Sequence, residues 1–209
     1  WATFLASLSL IVVDEAHTYR GVLGSHMAQI FRRLNRICAH YGVRPTYVFC
    51  SATLGNPGEL AHKLTGRQAK EVTESGAPKG KRHFLFLNPE HALSVQAAKA
   101  GGTGARLALS LLQAALPREL RTIVYTQSRK MTELISLWAG ERAKGYQDRI
   151  SAYRAGFLPE ERRDIEQRLA SGDLLGVIST SALELGIDIG HLDLCVLVGY
   201  PGTIMATLQ

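Results

Sequence analysis

Cysteine is scarce in this chain. Only Cys38, Cys50 and Cys195 occur among 209 residues, and no two of them form a CxxC pair. That spacing suggests neither a zinc site nor a disulfide framework. Their apolar neighbours make all three read as buried free thiols of a reducing compartment. No apolar run approaches the ~18 residues that a membrane helix needs. No signal peptide or lipidation motif is visible, so the expectation is a cytoplasmic protein with no membrane role. Low-complexity tracts and short repeats are missing too. The first residue is Trp1 rather than Met, inside an amphipathic stretch, so the chain is expected to be an internal piece of a longer protein. What remains is ordinary globular composition, 46% apolar and 20% charged. The net charge of +6 suits a polyanionic partner without specifying one. The sequence leaves the oligomeric state unknown.

Apolar patterning divides the chain. Trp1 to Leu8 reads as the end of a helix. Leu10–Val13 is a continuous apolar run, the mark of a strand buried on both faces. From Met27 to Tyr41 apolar residues recur at helical spacing, with Arg32, Arg33 and Arg36 on the other side. Thr46–Cys50 reads as a second buried strand, giving the βαβ rhythm of a parallel sheet. A polar, basic, Gly/Pro-bearing stretch follows at Glu74–Arg82. A second α/β unit is expected to start at Phe84–Leu87. Ala100–Ala105 reads as a mobile loop. Helices are expected at Arg106–Leu116, stopped by Pro117, at Lys130–Lys144 with Trp138 on the apolar face, and from Pro159 to Ala170. Strands are expected at Thr122–Tyr125, Arg149–Tyr153, Leu174–Ser179 and Leu192–Val198. About five strands with intervening helices make a doubly wound sheet. Gly24–Met27 spells GSHM, like an expression-tag scar, but the sequence on both sides is continuous and it is read as native.

Chemistry concentrates where strands end. Asp14, Glu15, Ala16 and His17 directly follow the first apolar strand. Two carboxylates there lie at the carboxyl edge of a parallel sheet, where open α/β folds bind ligands. Nucleotide hydrolysis needs one carboxylate to hold Mg²⁺ and another group to orient or deprotonate water. Asp14 suits the first role and Glu15 the second; the plainer alternative is an acidic cap on the next helix. Ser51 and Thr53 close the second strand in the same way. Taken alone, these hydroxyls read as helix caps.

DEAH followed by SAT resembles motifs II and III of the superfamily 2 DEAD/DEAH-box ATP-dependent helicases. Ile123–Arg129 resembles motif IV. Ser151–Gly156 resembles the YHAG-type segment, with Arg154 where His is common. Ile178–Asp188 resembles motif V, and Val196–Gly202 the strand and turn after it. Tyr19–Gly21 and Gly24–His26 resemble a narrower branch, the RecQ-related MrfA/YprA type.

The resemblance implies an α/β fold of parallel-sheet RecA-like domains, one partial and one nearly complete. Residues 1–77 would be the second half of the first domain, 78–82 a linker, and 83–209 a second domain truncated before motif VI. The implied cofactors are ATP and Mg²⁺, and the implied partner is DNA, single-stranded or duplex with a single-stranded tail. Asp14 would bind Mg²⁺ through water, Glu15 would be the catalytic base, and His17 would couple the γ-phosphate to Ser51 and Thr53. Gly186 and Asp188 would approach the nucleotide, and Ser128, Arg129 and Thr180 would meet the nucleic-acid backbone. For this branch the implied activity is 3′-to-5′ unwinding in DNA repair.

Two expected elements are not found. No G-x-x-x-x-G-K-[ST] phosphate loop occurs in the sequence. Gly101–Gly104 lacks the Lys and follows no strand. An arginine-bearing motif VI is missing as well, and an arginine finger contributes ~10³ or more to hydrolysis. The chain alone is therefore expected to be inactive. Three other readings stay open: a nucleic-acid-stimulated translocase without unwinding, an RNA helicase, and a non-catalytic nucleic-acid-binding module. Arg32, Arg33 and Arg36 read as a solvated helix face, with a nucleic-acid path as the alternative.

Overall fold

Val and Ile favour a pleated, half-buried surface, and Leu10–Val13 forms strand β1. Its partner is β2, Thr46–Phe49, in a parallel register that sets Val13 opposite Phe49. A short helix, α1 (Ala2–Ala6), precedes β1. Between the strands runs α2 (Gly21–His40), and after β2 comes α3 (Pro57–Thr65). In α3, Pro57 stands in the first turn, where its missing N–H costs nothing. Gly66 then ends the helix in the left-handed region at φ 72°, its N–H donating to the His62 carbonyl. The computed structural model describes residues 1–51, 54–74, 76–78, 80–89, 102–154, 156–180 and 191–208. They fall into two compact units, one of Trp1–Lys81 together with Leu208 and one of Arg82–Thr207.

In the first unit, Val13, Phe31 and Leu64 form a small core, with Ile11, Tyr47 and Phe49 packed against it. A polar clamp ties β2, α2 and the residues after α3 together. Asn35 Oδ1 accepts from the Tyr47 hydroxyl at 3.1 Å and from Arg67 Nη2 at 2.8 Å. The same guanidinium donates to the Pro45 carbonyl and lies 5.2 Å from the Tyr47 ring centroid.

The second unit holds a four-stranded parallel sheet in the order β4-β5-β3-β6. The strands are β3 (Thr122–Thr126), β4 (Ile150–Tyr153), β5 (Gly176–Ser179) and β6 (Leu194–Val198). The helices are α4 (Thr103–Ala115), α5 (Arg129–Arg142), α6 (Pro159–Ser171) and α7 (Ile204–Leu208). Strand side chains alternate between faces. Val124 and Ile178 join Leu109, Leu112 and Ile135 from α4 and α5. Ile123 and Val177 join Ile165 and Leu169 of α6 on the other face. Each such fully buried Leu or Ile contributes roughly 1.5–3 kcal/mol. With both faces covered, parallel strands can read as unbroken apolar runs.

Several expectations are corrected. β1 is not buried on both faces: Leu10 and Val12 are 52% and 58% exposed. α2 and α3 cover only the face that carries Ile11 and Val13. Phe84–Leu87 is exposed coil and not a strand, because β-forming side chains without a neighbouring ladder do not hold an extended pairing. Thr103–Ala105 is helix instead of loop. Gly102 precedes it at φ 68°, and Ala105 is buried in the core. α4 ends at Ala115, and Pro117 sits in a 3₁₀ turn over Leu116–Arg118. The second unit has four strands among the described residues, against the five expected. Cys38 is buried, but Cys50 and Cys195 are exposed. Among the described residues no helix is long and apolar enough to cross a membrane.

Candidate nucleotide-hydrolysis site

Parallel pairing brings two chain exits to one edge. The pairing continues past the ends of β1 and β2: Cys50 N donates to the Val13 carbonyl at 3.0 Å, and Ala16 N donates to the Cys50 carbonyl at 2.9 Å. The chain then turns through a 3₁₀ helix at Ala16–Thr18, which swings His17 back beside Ser51. His17 is buried, and its Nδ1 lies 3.2 Å from Ser51 Oγ and 3.3 Å from Glu15 Oε2. An ionised carboxylate only accepts. The imidazole tautomer sets whether Ser51 Oγ donates to Nδ1 or accepts from it, and the Glu15 carboxylate stands at ion-pair distance from that nitrogen.

Glu15 sits at φ 47°, in the left-handed region that non-glycine residues seldom occupy. The surroundings hold it there. Its N–H donates to Asp14 Oδ1 at 2.8 Å. Its carbonyl accepts from Thr18 N and from Thr18 Oγ1, each at 2.9 Å. Strained backbone of this kind clusters at functional sites. Here the Glu15 carboxylate stands 3.3 Å from His17 Nδ1 while remaining 40% exposed. Asp14 is exposed as well, with Oδ2 free of any described partner. Two solvent-facing carboxylates and a buried imidazole form one cluster. Thr53 lies outside the described residues.

The second unit presents another edge. Ser128 caps α5: its Oγ accepts from Met131 N at 3.2 Å, which leaves its own O–H free to donate. Behind it, Thr126 Oγ1 lies 2.7 Å from Thr132 Oγ1 and donates to the Ser128 carbonyl. Arg129 is exposed at the first position of α5. Thr180 follows β5 directly, and β5 adjoins β3 with Tyr125 opposite Ser179. Ser128, Arg129 and Thr180 thus share the carboxyl edge of two neighbouring strands. Gly186 and Asp188 lie outside the described residues. Sequence patterning gave no signal for the left-handed Glu15 or for the Thr126–Thr132 pair. It also missed the buried Tyr153 hydroxyl, which donates to Glu166 Oε1 at 2.6 Å.

This geometry accompanies a clear likeness to known proteins. The helicase conserved C-terminal domain family matches residues 107–209. The chain is 44% identical to the ATP-dependent helicase YprA of Bacillus subtilis, over 100% of this chain and 28% of that protein. It is 35% identical to the ATP-dependent helicase hrq1 of Schizosaccharomyces pombe, over 96% of this chain and 20% of the relative. The DUF1998 helicase MrfA, solved bound to DNA and AMPPNP, is similar with a TM-score of 0.86 and 41% identity, over 100% of this chain and 29% of that one. Lhr of Mycobacterium smegmatis, solved bound to ssDNA and AMP-PNP, is similar with a TM-score of 0.69 and 25% identity, over 99% and 27%. Both units have the parallel-sheet, helix-flanked architecture of RecA-like helicase domains. Within that class, the chain is similar over its whole length to superfamily 2 ATP-dependent helicases of the MrfA/YprA type. It spans less than a third of the length of each of these relatives.

Proposed function

We propose that the full-length protein is an ATP-dependent DNA helicase, in which residues 1–77 belong to the first RecA-like domain, 78–82 link the two, and 83–209 belong to the second. The observation that carries this reading is the cluster of Glu15, His17 and Ser51 at the edge of β1 and β2, with Asp14 beside it. Asp14 offers one uncommitted carboxylate oxygen. That fits Mg²⁺, which keeps most of its waters and takes few protein ligands beside nucleotide phosphates. Bound there, the ion would supply charge neutralisation to the phosphates. Glu15 orients and deprotonates the attacking water. His17, with Nδ1 against both Glu15 and Ser51, transmits the state of the site to β2 and Thr53. Gly186 and Asp188 contact the nucleotide from the second domain, Asp188 near the ribose.

Ser128, Arg129 and Thr180 grip the phosphate backbone. A hydroxyl, a guanidinium and a helix N-terminus are all phosphate donors. Such contacts hold without sequence preference, as translocation requires. The substrate is DNA with a single-stranded tail, translocation runs 3′ to 5′, and the role is in repair. We place the protein in the cytoplasm with that substrate. The 209-residue chain on its own, which contains no Gly-rich phosphate loop, hydrolyses no ATP.

Glu15→Gln in the full-length protein tests the assignment. Proton transfer by a placed carboxylate contributes about 10²–10⁴-fold, so ATPase falls by that factor while ATP binding persists. Undiminished turnover refutes the role. Strand displacement on 3′- and 5′-tailed duplexes, and ATPase stimulation by DNA against RNA, test polarity and substrate.

A further inference from the structure

We propose that the groove between the start of α2 and α3 is a second backbone-binding subsite, one that takes the phosphates of a single nucleic-acid strand on the first unit. The groove has a volume of about 510 Å³, within the roughly 300–1,000 Å³ of ligand-binding clefts. Its walls carry Arg20, Gln29 and Arg32 on one side and Asn56 and Lys63 on the other. It lies in the segment that directly follows the DEAH residues and takes no part in the hydrolysis cluster. The inference rests on the reading that the protein acts on nucleic acid.

Charge is the first argument. α2 contains no Asp or Glu over its 20 residues. The Arg20 and Arg32 side chains have no hydrogen bond or ion pair with any described residue. α6 behaves differently: there Arg168 pairs with Asp164 of its own helix. The acid at the rim of the groove, Glu59, already accepts from both Lys63 and Asn56. The two guanidiniums therefore face the groove uncompensated, with the forked donors that suit phosphate oxygens.

Shape is the second argument. Arg20 and Arg32 are twelve positions apart, which is roughly 18 Å along a helix axis at 1.5 Å per residue. That separation exceeds a single phosphate and matches several nucleotide steps at ~3.4 Å or more each. A linear polyanion fits it, and a compact anion does not. Gly24, in the lining, lets α2 lie close against the Tyr19 backbone, since a Cβ there would stand 2.5 Å from the Tyr19 carbonyl oxygen.

The test is binding of a fluorescein-labelled oligothymidylate by the full-length protein across a salt series. R20A/R32A is compared with wild type, with R20K/R32K, and with R162A/R163A, which removes the same charge from α6. Losing two phosphate contacts should weaken binding about tenfold and reduce the slope of log K against log salt by about 1.4. R162A/R163A should match wild type, and R20K/R32K should recover the salt slope but only part of the affinity. Both arginines in the groove are exposed and unpaired, so thermal midpoints should not move. Unchanged affinity and slope in R20A/R32A, beside a wild type that binds, overturn the groove and leave the helicase reading intact. An equal loss in R162A/R163A also overturns it, since net charge then explains the effect. So does loss of polyglutamate binding in R20A/R32A with oligothymidylate binding intact, which would make the groove a site for an acidic protein segment. A wild type that binds no oligothymidylate overturns the helicase reading itself, and the groove with it.

Discussion

His17 Nδ1 lies 3.2 Å from Ser51 Oγ, joining the turn after β1 to the end of β2. Because Glu15 shares the same ring nitrogen, the contact connects a candidate base to the segment that leads into α3.

If that contact transmits the state of the site without performing chemistry, Ser51→Ala separates two activities of the full-length protein. One hydrogen bond of ~0.5–1.5 kcal/mol is worth up to about tenfold in rate. ATPase should stay within about threefold of wild type, while strand displacement per ATP falls by up to about tenfold. Measuring both on the same tailed duplex decides. Parallel loss of the two activities would assign Ser51 to the chemical step instead.

Tyr153 makes stability depend on alkaline pH. Burial, and then its bond to Glu166, push the phenol from 10.0 up to about 12. A folded-state value above the unfolded one gives a contribution that is full below pH 10 and is lost as pH rises through about 12. Tyr153→Phe removes both the proton and the bond. It should cost ~0.5–1.5 kcal/mol at neutral pH. It should also lose less stability than wild type between pH 10 and 12. Urea midpoints of both proteins across that range measure the difference, and parallel pH curves would contradict the assignment.

Asn35 holds two donors at once, the Tyr47 hydroxyl and the Arg67 guanidinium. Asn35→Ala leaves both partly buried groups without that acceptor, at a cost of about 1–3 kcal/mol. Asn35→Asp keeps the acceptor and should retain most of the stability. Thermal midpoints of the pair report it; a neutral Asn35→Ala would show that water replaces the amide at no cost.

Much of the fold was legible because its signals are local. The apolar runs at Leu10–Val13 and Thr122–Tyr125, the helical spacing from Met27 and Pro159 at the start of a helix each act within a few residues, and each element forms where they stand. Phe84–Leu87 misled because a run of β-forming residues does not contain its partner strand. Thr103–Ala105 misled because three glycines outweighed an alanine whose burial comes from distant Leu and Val side chains. The exposed faces of Leu10 and Val12 depend on which helices cover β1, and that is a property of packing.

The sequence by itself determined the parallel-sheet class, the placement of two carboxylates at a strand end and the order of motifs that marks the helicase branch. Spacing along a chain with 2.0 and 3.6 periods is enough for these. Only the tertiary structure decided that Ser51 meets His17, that Glu15 is held at positive φ, that Tyr153 is sealed against Glu166 and that Arg20 and Arg32 share one groove. Such contacts join residues far apart in sequence, and their geometry comes from sheet register, helix packing and burial.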